Sequence, residues 1–206
     1  MTDLTLYSMP SSGNSYKVRL LLALLGRPYA HVPIETDTPE LAEAKAAGHL
    51  PLGKLPALHL GCGTILSESN AILWYLGADT AWMPEGALAQ ARMLGWMFFE
   101  QNRHEPVVAV RASLATYPHL AGEATPERMA TLLEEGHRIL GLMEAGLDGQ
   151  DWFCGAAPTL ADIALYAYTH TAGTRGGYDM GRFARLTRWC ARMAALPGYV
   201  GLLDGG

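Results

Sequence analysis

Residues 4–34 read LTLYSMPSSGNSYKVRLLLALLGRPYAHVPI, and the order of patterns in this stretch decides the fold. Leu4 to Ser8 alternates apolar and polar side chains and runs into a Pro/Ser/Gly cluster, which predicts a strand and a turn. From Asn14 to Leu25, Val18, Leu21, Leu22 and Leu25 recur at i, i+3, i+4 and i+7, the stripe of a helix with one buried face. Gly26 and then Pro28 stop that helix. YAHVPI, residues 29–34, predicts a second strand, and Pro33, which cannot donate to a ladder, places it at a sheet edge. A helical crossover between two strands makes them parallel.

Reading outward, TPELAEAKAAG (38–48) predicts a second helix with Thr38 as N-cap, Pro39 at the first helical position and Gly48 at the stop. LPALHLGCGTILSES (55–69) carries two short apolar runs, Ala57 to Leu60 and Thr64 to Leu66, around a Gly-Cys-Gly turn, the pattern of an antiparallel hairpin. A third helix is expected from Glu68 to about Gly77. The resulting order is β-α-β-α-β-β-α. Beyond it the strand signal stops, and helical patterns cover residues 87–115, 126–146, 159–172 and 183–195. An α/β segment followed by an all-helical one predicts two domains: residues 1–78, a linker at 79–86, and residues 87–206.

Composition narrows the function. Half of the 206 residues are hydrophobic and 17% are charged, as in a globular protein, and the formal net charge of −5 offers no basic face for nucleic acid. No apolar run reaches the roughly 18–20 residues that span a bilayer, and the MTDLTLYSMP start is acidic and short, so a cytoplasmic, membrane-free protein is expected. Cys62, Cys154 and Cys190 form no C-x-x-C pair, and Pro106 directly after His104–Glu105 excludes H-E-x-x-H. Neither a disulfide framework nor a metal site is expected.

Four stretches carry chemistry. In YSMPSSGNSYKVR (7–19) four serines crowd a strand-to-helix turn, where a hydroxyl either closes the turn or faces a ligand. In GKLPALHL (53–60) a proline follows Leu55 at the start of a strand; a cis bond there would expose the Leu55 backbone to a peptide-like ligand, and residue pattern leaves the isomer open. In SESNAILWYL (67–76), Ser67 reads as a helix cap with Glu68 favoured by the dipole, or the helix N-terminus with Ser69 receives a carboxylate. In APTLADIALYAY (157–168), Thr159 and Asp162 have capping-box spacing, and the structural reading is favoured for both.

Taken in order, SGNSYKVRLLLALLG, KLPAL, SESNAILWYL, PTLADIALYAY and the ending RWCARMAALPGYV resemble the cytosolic glutathione S-transferase family across essentially the whole chain, in the manner of its bacterial serine-type members. The resemblance implies a thioredoxin-like N-terminal domain, an all-α C-terminal domain and a homodimer. It implies glutathione as co-substrate, Ser12 as the catalytic hydroxyl with Ser11 one residue away, and Asn14 in support of the thiolate. Lys54, Leu55 and Pro56 would hold the glycyl and cysteinyl parts of glutathione, and Glu68 with Ser69 its γ-glutamyl end. Tyr7 is read as packing, with catalysis as a weak alternative. The electrophile would meet Met9 and the long helix of the second domain at Asn102, Arg103 and His104.

The activity so implied is transfer of glutathione to a small hydrophobic electrophile, as in detoxification. The thiol of glutathione ionises near 8.5, and a serine hydroxyl beside a helix N-terminus favours the thiolate. A shift of roughly two units takes about 2.7 kcal/mol, within reach of one charge-assisted hydrogen bond plus the dipole. No cysteine lies in residues 7–19, which removes the nucleophile of the cysteine-type classes. Glutathione-dependent isomerisation, peroxide or disulfide reduction, and non-catalytic glutathione binding remain alternatives on the same fold.

Overall fold

The computed structural model describes residues 3–204. The chain divides into two compact units: one runs to Met83 and takes in the chain from Ala194 onward, and the other runs from Pro84 to Met193. The tail therefore belongs with the α/β unit, not with the helical segment that precedes it in sequence.

In the first unit the elements are β1 (Leu4–Ser8), α1 (Gly13–Leu24), β2 (Ala30–Pro33), α2 (Pro39–Ala46), β3 (Ala57–Leu60), β4 (Ile65–Ser67) and α3 (Ser69–Gly77). The β-α-β-α-β-β-α order is the expected one, and the sheet order β2-β1-β3-β4 puts the proline-bearing strand at the edge. β1 and β2 are parallel with Leu6 opposite His31, while β3 is antiparallel to β1 with Leu58 opposite Leu6. This is the thioredoxin-like arrangement.

Strand alternation sorts the core into two layers. Tyr7, Val32, Ala57 and Ile65 pack with Leu41 and Ala44 of α2 and with Leu50 on one face. Leu6 and Leu58 point to the opposite face and are fully buried, and α1 and α3 pack together with Val18, Leu21, Leu22, Ile72, Leu73 and Leu76 all buried. α2 starts as its sequence dictates, with the Thr38 side chain accepting from the Leu41 N–H. α1 ends at Leu24 with Leu25 as its C-cap, and the next residue, Gly26, takes φ +60°, the left-handed conformation that glycine adopts without a Cβ penalty.

α1 departs from the expected one-faced stripe. Residues 15–22 are buried on every side, including Lys17 at 0% and Arg19 at 2% exposure. Lys17 lies four residues before Leu21 and so shares the apolar stripe by helical spacing, whereas Arg19 is buried by the loop and tail it holds.

The helical unit holds α4 (Ala87–Phe99), α5 (Val110–Thr116), α6 (Pro126–Gly146), α7 (Leu160–Thr169), α8 (Ala172–Gly176) and the start of α9 (Ala184–Ala194). Residues 87–115 do not form one uniform helix. Between α4 and α5 the backbone winds as a π-helix over Glu100–Ala109, and Pro106 lies inside it. Proline has no N–H to give, and its ring clashes with the carbonyl one turn back, so a wider turn accommodates it. α7 is buried along nearly its whole length, including Leu160, Ile163, Leu165 and Tyr166, which makes it the centre of this unit. No helix of the described residues is long and apolar enough to cross a membrane.

Candidate functional site

The loop Met9–Ser12 and the first turn of α1 form one side of the site. Ser12 is the N-cap: its backbone is extended and its Oγ accepts from the Ser15 N–H at 3.4 Å. An N-cap hydroxyl accepts through a lone pair and keeps its own proton to donate. No hydrogen bond among the described residues uses that proton.

Ser11 is differently placed. Its N–H and its hydroxyl both donate to the Glu35 carboxylate, at 3.1 and 3.0 Å, which ties the loop to the chain after β2. Ser15 is buried and accepts from the Met9 N–H at 2.9 Å, and Ser8 is buried with its hydroxyl 2.7 Å from His31 Nε2. All four hydroxyls thus make structural contacts, but Ser8 and Ser15 are buried and Ser11 donates to Glu35, whereas Ser12 is only half-buried.

Arg19 fixes the loop from below. Its guanidinium donates to Ser8 Oγ at 3.1 Å, to the carbonyls of Met9 and Pro10 at 3.2 and 2.8 Å, and to the carbonyl of Leu202 at 2.7 Å. Tyr16, one helical turn earlier, donates to the Val200 carbonyl at 2.7 Å. Burial lowers the pKa of Arg19, yet a guanidinium keeps its charge at such positions. A planar fork with five donors suits a task of collecting several carbonyls at once.

The N-terminus of α3 forms the other side. Its N-cap position is Glu68, with φ +69° and no side-chain capping bond, so the first N–H groups of the helix are left for another acceptor. This corrects the reading of Ser67 as the cap: Ser67 ends β4, and its buried Oγ has no partner. A non-glycine residue at positive φ is strained, and such strain clusters at ligand clamps.

Ser69 is 4% exposed and donates from Oγ to Asn14 Oδ1 at 3.2 Å, so the expected catalytic and γ-glutamyl residues meet directly. The buried ammonium of Lys17 donates to Ser69 Oγ at 3.4 Å and to Asn70 Oδ1 at 3.5 Å. The Leu55–Pro56 bond, left open by the residue pattern, is cis. Among the described residues no backbone hydrogen bond engages the Leu55 N–H or C=O. Pro56 is buried, and Lys54 is exposed to solvent.

Other expected residues stand apart. Tyr7 lies in the sheet with its ring stacked 4.9 Å from His49 and 4.5 Å from His59, a packing role. Met9 is half-buried in the site loop, and Asn102 and Arg103 are exposed on the π-helical segment. His104 is fully buried, with Nε2 3.1 Å from Thr169 Oγ1 inside the helical unit, so its ring serves that core. Thr159 and Asp162 form the expected capping box, and the Asp162 carboxylate also accepts from the Phe153 N–H and from Trp189 Nε1. The described residues hold no cluster of His, Cys, Asp and Glu suited to a metal ion.

Sequence reasoning missed Lys17, Arg19 and Glu35. The signal for Lys17 was present, a cation at helical spacing on an apolar stripe. Arg19 and Glu35 carried none, because their partners are backbone groups and loop residues distant in sequence.

The thioredoxin-like unit thus carries an uncapped helix N-terminus, a cis-proline before β3 and an N-cap hydroxyl, and comparison with known proteins gives the family. Residues 6–81 match the model of the glutathione S-transferase N-terminal domain, and residues 126–192 match that of the C-terminal domain. A glutathione S-transferase of Pseudomonas fluorescens is 37% identical with a TM-score of 0.91, over 98% of this chain and 100% of that one. A glutathione transferase of Burkholderia graminis, with two glutathione molecules bound per subunit, is 26% identical with a TM-score of 0.84, over 99% of this chain and 88% of that one. Elongation factor 1-gamma of Drosophila melanogaster is 28% identical over 90% of this chain, which spans 42% of that protein. The chain belongs to the glutathione S-transferase family.

Proposed function

We propose that this protein is a glutathione transferase that holds glutathione as a thiolate and presents it to a small hydrophobic electrophile. The observation that carries the reading is Ser12: its hydroxyl caps α1 as an acceptor and keeps a proton to donate, while Ser11 spends its hydroxyl on Glu35. A thiolate set at this N-terminus gains that hydrogen bond and the positive end of the helix dipole. Asn14 supports the same end of α1. Glutathione would lie with its cysteinyl amide on the Leu55 backbone, its glycyl carboxylate near Lys54 and its γ-glutamyl end at Glu68 and Ser69. The acceptor substrate would approach past Met9.

No proton relay is required. The protein's task is to hold the sulfur ionised and positioned, and the carbon–sulfur bond forms as the leaving group departs from the electrophile. Replacing Ser12 by Ala should raise the pKa of bound glutathione by about one to two units, read from thiolate ultraviolet absorbance. At neutral pH kcat/KM with an aryl halide should fall roughly 10- to 100-fold, with glutathione affinity within about threefold. Full turnover with an unshifted pH profile would remove Ser12 from the role and point to Ser11.

A second reading, glutathione binding without turnover, draws on the likeness to elongation factor 1-gamma. A panel of an aryl halide, a hydroperoxide and a maleyl-type isomer distinguishes the transferase from the isomerase, the reductase and the silent binder. Each unit also exposes large apolar side chains, Leu52 and Tyr75 in the first, Leu88 and Phe98 in the second. Covering them in a homodimer fits the family, and light scattering reads the outcome.

A further inference from the structure

The helical unit has a surface cavity of its own, about 270 Å3, between the loop that follows α6 and one face of α9. Three arginines line it, Arg185, Arg188 and Arg192, against a single carboxylate, Asp151. Their spacing, i, i+3 and i+7, puts them on one helix face, with Arg188 about 5–6 Å from each of the other two at Cβ. Like charges so close repel, and carboxylates offset the outer two. Arg185 pairs with Asp148 at 2.6 Å and with Glu144 at 3.4 Å, and Arg192 pairs with Asp151 at 2.8 Å. Arg188 stands between them, exposed, and among the described residues it has no hydrogen-bond or ion-pair partner. Asp148 and Asp151 are themselves 76% and 71% exposed, and ion pairs so open to water contribute little.

We propose that this cavity binds the phosphate group of a small phosphomonoester, with Arg188 as the central contact and Arg185 and Arg192 exchanging their aspartates for it. The proposal goes beyond the glutathione reading and does not depend on it. A guanidinium meets a phosphate through two parallel N–H···O bonds. A ligand carboxylate brings one charge and competes like for like with aspartates that are already tethered beside the arginines. A phosphomonoester brings close to two charges and three terminal oxygens, so it can bridge neighbouring guanidiniums as one aspartate cannot. The far wall adds neutral donors, the Gln150 amide and the backbone of Gly149. Gly149 has φ +67°, a Cβ on it would meet nothing within 4 Å, and among the described residues its N–H makes no backbone hydrogen bond. The volume lies just under the usual range of small-molecule sites, so only a short organic stem accompanies the phosphate.

Calorimetric titration in low-salt buffer tests this with phenyl phosphate and benzoate, which share a ring and differ in the anion. The proteins are the wild type, Arg188→Gln and Arg138→Gln, the last removing the same charge from α6 at a residue that does not line the cavity. Phenyl phosphate should bind the wild type with a Kd below about 1 mM, and benzoate at least about tenfold more weakly. Arg188→Gln should weaken phenyl phosphate about tenfold or more, and Arg138→Gln should leave it within about twofold. Should Arg188→Gln fail to fold by circular dichroism, Arg188→Lys keeps the charge without the planar fork and should still weaken phenyl phosphate severalfold.

Absence of saturable binding by the wild type at about 10 mM phenyl phosphate would overturn the site. An unchanged Kd in Arg188→Gln would place the ligand elsewhere, and equal losses in Arg188→Gln and Arg138→Gln would reduce the effect to net charge; either result overturns the proposal. Benzoate binding as tightly as phenyl phosphate would overturn the phosphate class.

Discussion

Asp162 shows how much a single buried group can hold. Its carboxylate is fully buried and accepts from the Thr159 N–H at 2.8 Å, the Thr159 hydroxyl at 3.2 Å, the Phe153 N–H at 3.2 Å and Trp189 Nε1 at 2.9 Å. Burial pushes its pKa up, and those hydrogen bonds pull against that shift. Replacement by Ala leaves four donors without an acceptor in the middle of the helical unit. Urea unfolding of Asp162→Ala should show a loss of about 3 kcal/mol or more. A loss under about 1 kcal/mol would mean that water replaces the carboxylate. The capping-box part of this role was legible from Thr159 and Asp162 alone. The Trp189 and Phe153 contacts were not, since spacing within one helix says nothing about a tryptophan 27 residues on.

At the scale of elements, the loop before α1 owes its shape to the helix that follows it. Arg19 collects Met9, Pro10 and Ser8 from above and Leu202 from the tail. Arg19→Met preserves much of the apolar stem but abandons three carbonyls and one hydroxyl. It should lower stability by about 2–4 kcal/mol and, under the proposed function, raise the pKa of the glutathione thiol as well by loosening the loop that carries Ser12. Measuring both quantities matters: a stability loss with an unchanged thiol pKa would limit Arg19 to the fold. The strands, α1, α2 and α3 were readable because their patterns are local, a period of two, a period of 3.6, Thr38-Pro39 at a start and Gly26 at a stop. The π-helical winding over Glu100–Ala109 was not, although Pro106 was in plain view, because whether a helix breaks, kinks or widens at proline depends on what packs around it.

For the whole molecule, acid sensitivity follows from histidine burial. His170 lies against Tyr166, 4.7 Å between rings, with Nδ1 2.9 Å from the Tyr166 carbonyl, and burial lowers its pKa below the ordinary 6.5. A depressed histidine stays neutral in the folded protein while the unfolded chain takes up a proton, so the unfolded state binds more protons. Its contribution to stability is present above pH 6.5 and is lost as pH falls toward the folded-state pKa. The urea midpoint should therefore fall between about pH 7.5 and 5.5, and His170→Gln should flatten that slope. An identical slope in the variant would assign the acid sensitivity to other groups.

The sequence by itself determined the order of elements, the edge position of β2, the caps at Thr38, Thr159 and Gly26, and the four motifs of the glutathione S-transferase family. All are written in residues a few positions apart, where periodicity and backbone preference act directly. Tertiary structure decided which hydroxyl is free. Ser11 and Ser12 are adjacent and chemically identical; Ser12 caps α1, and the approach of Glu35 from beyond β2 takes up the Ser11 hydroxyl. It likewise decided that Lys17 stands behind Ser69 and that the tail returns to Arg19. Hydrogen bonds between residues 52 and 183 positions apart are fixed by packing, and local pattern has no access to them.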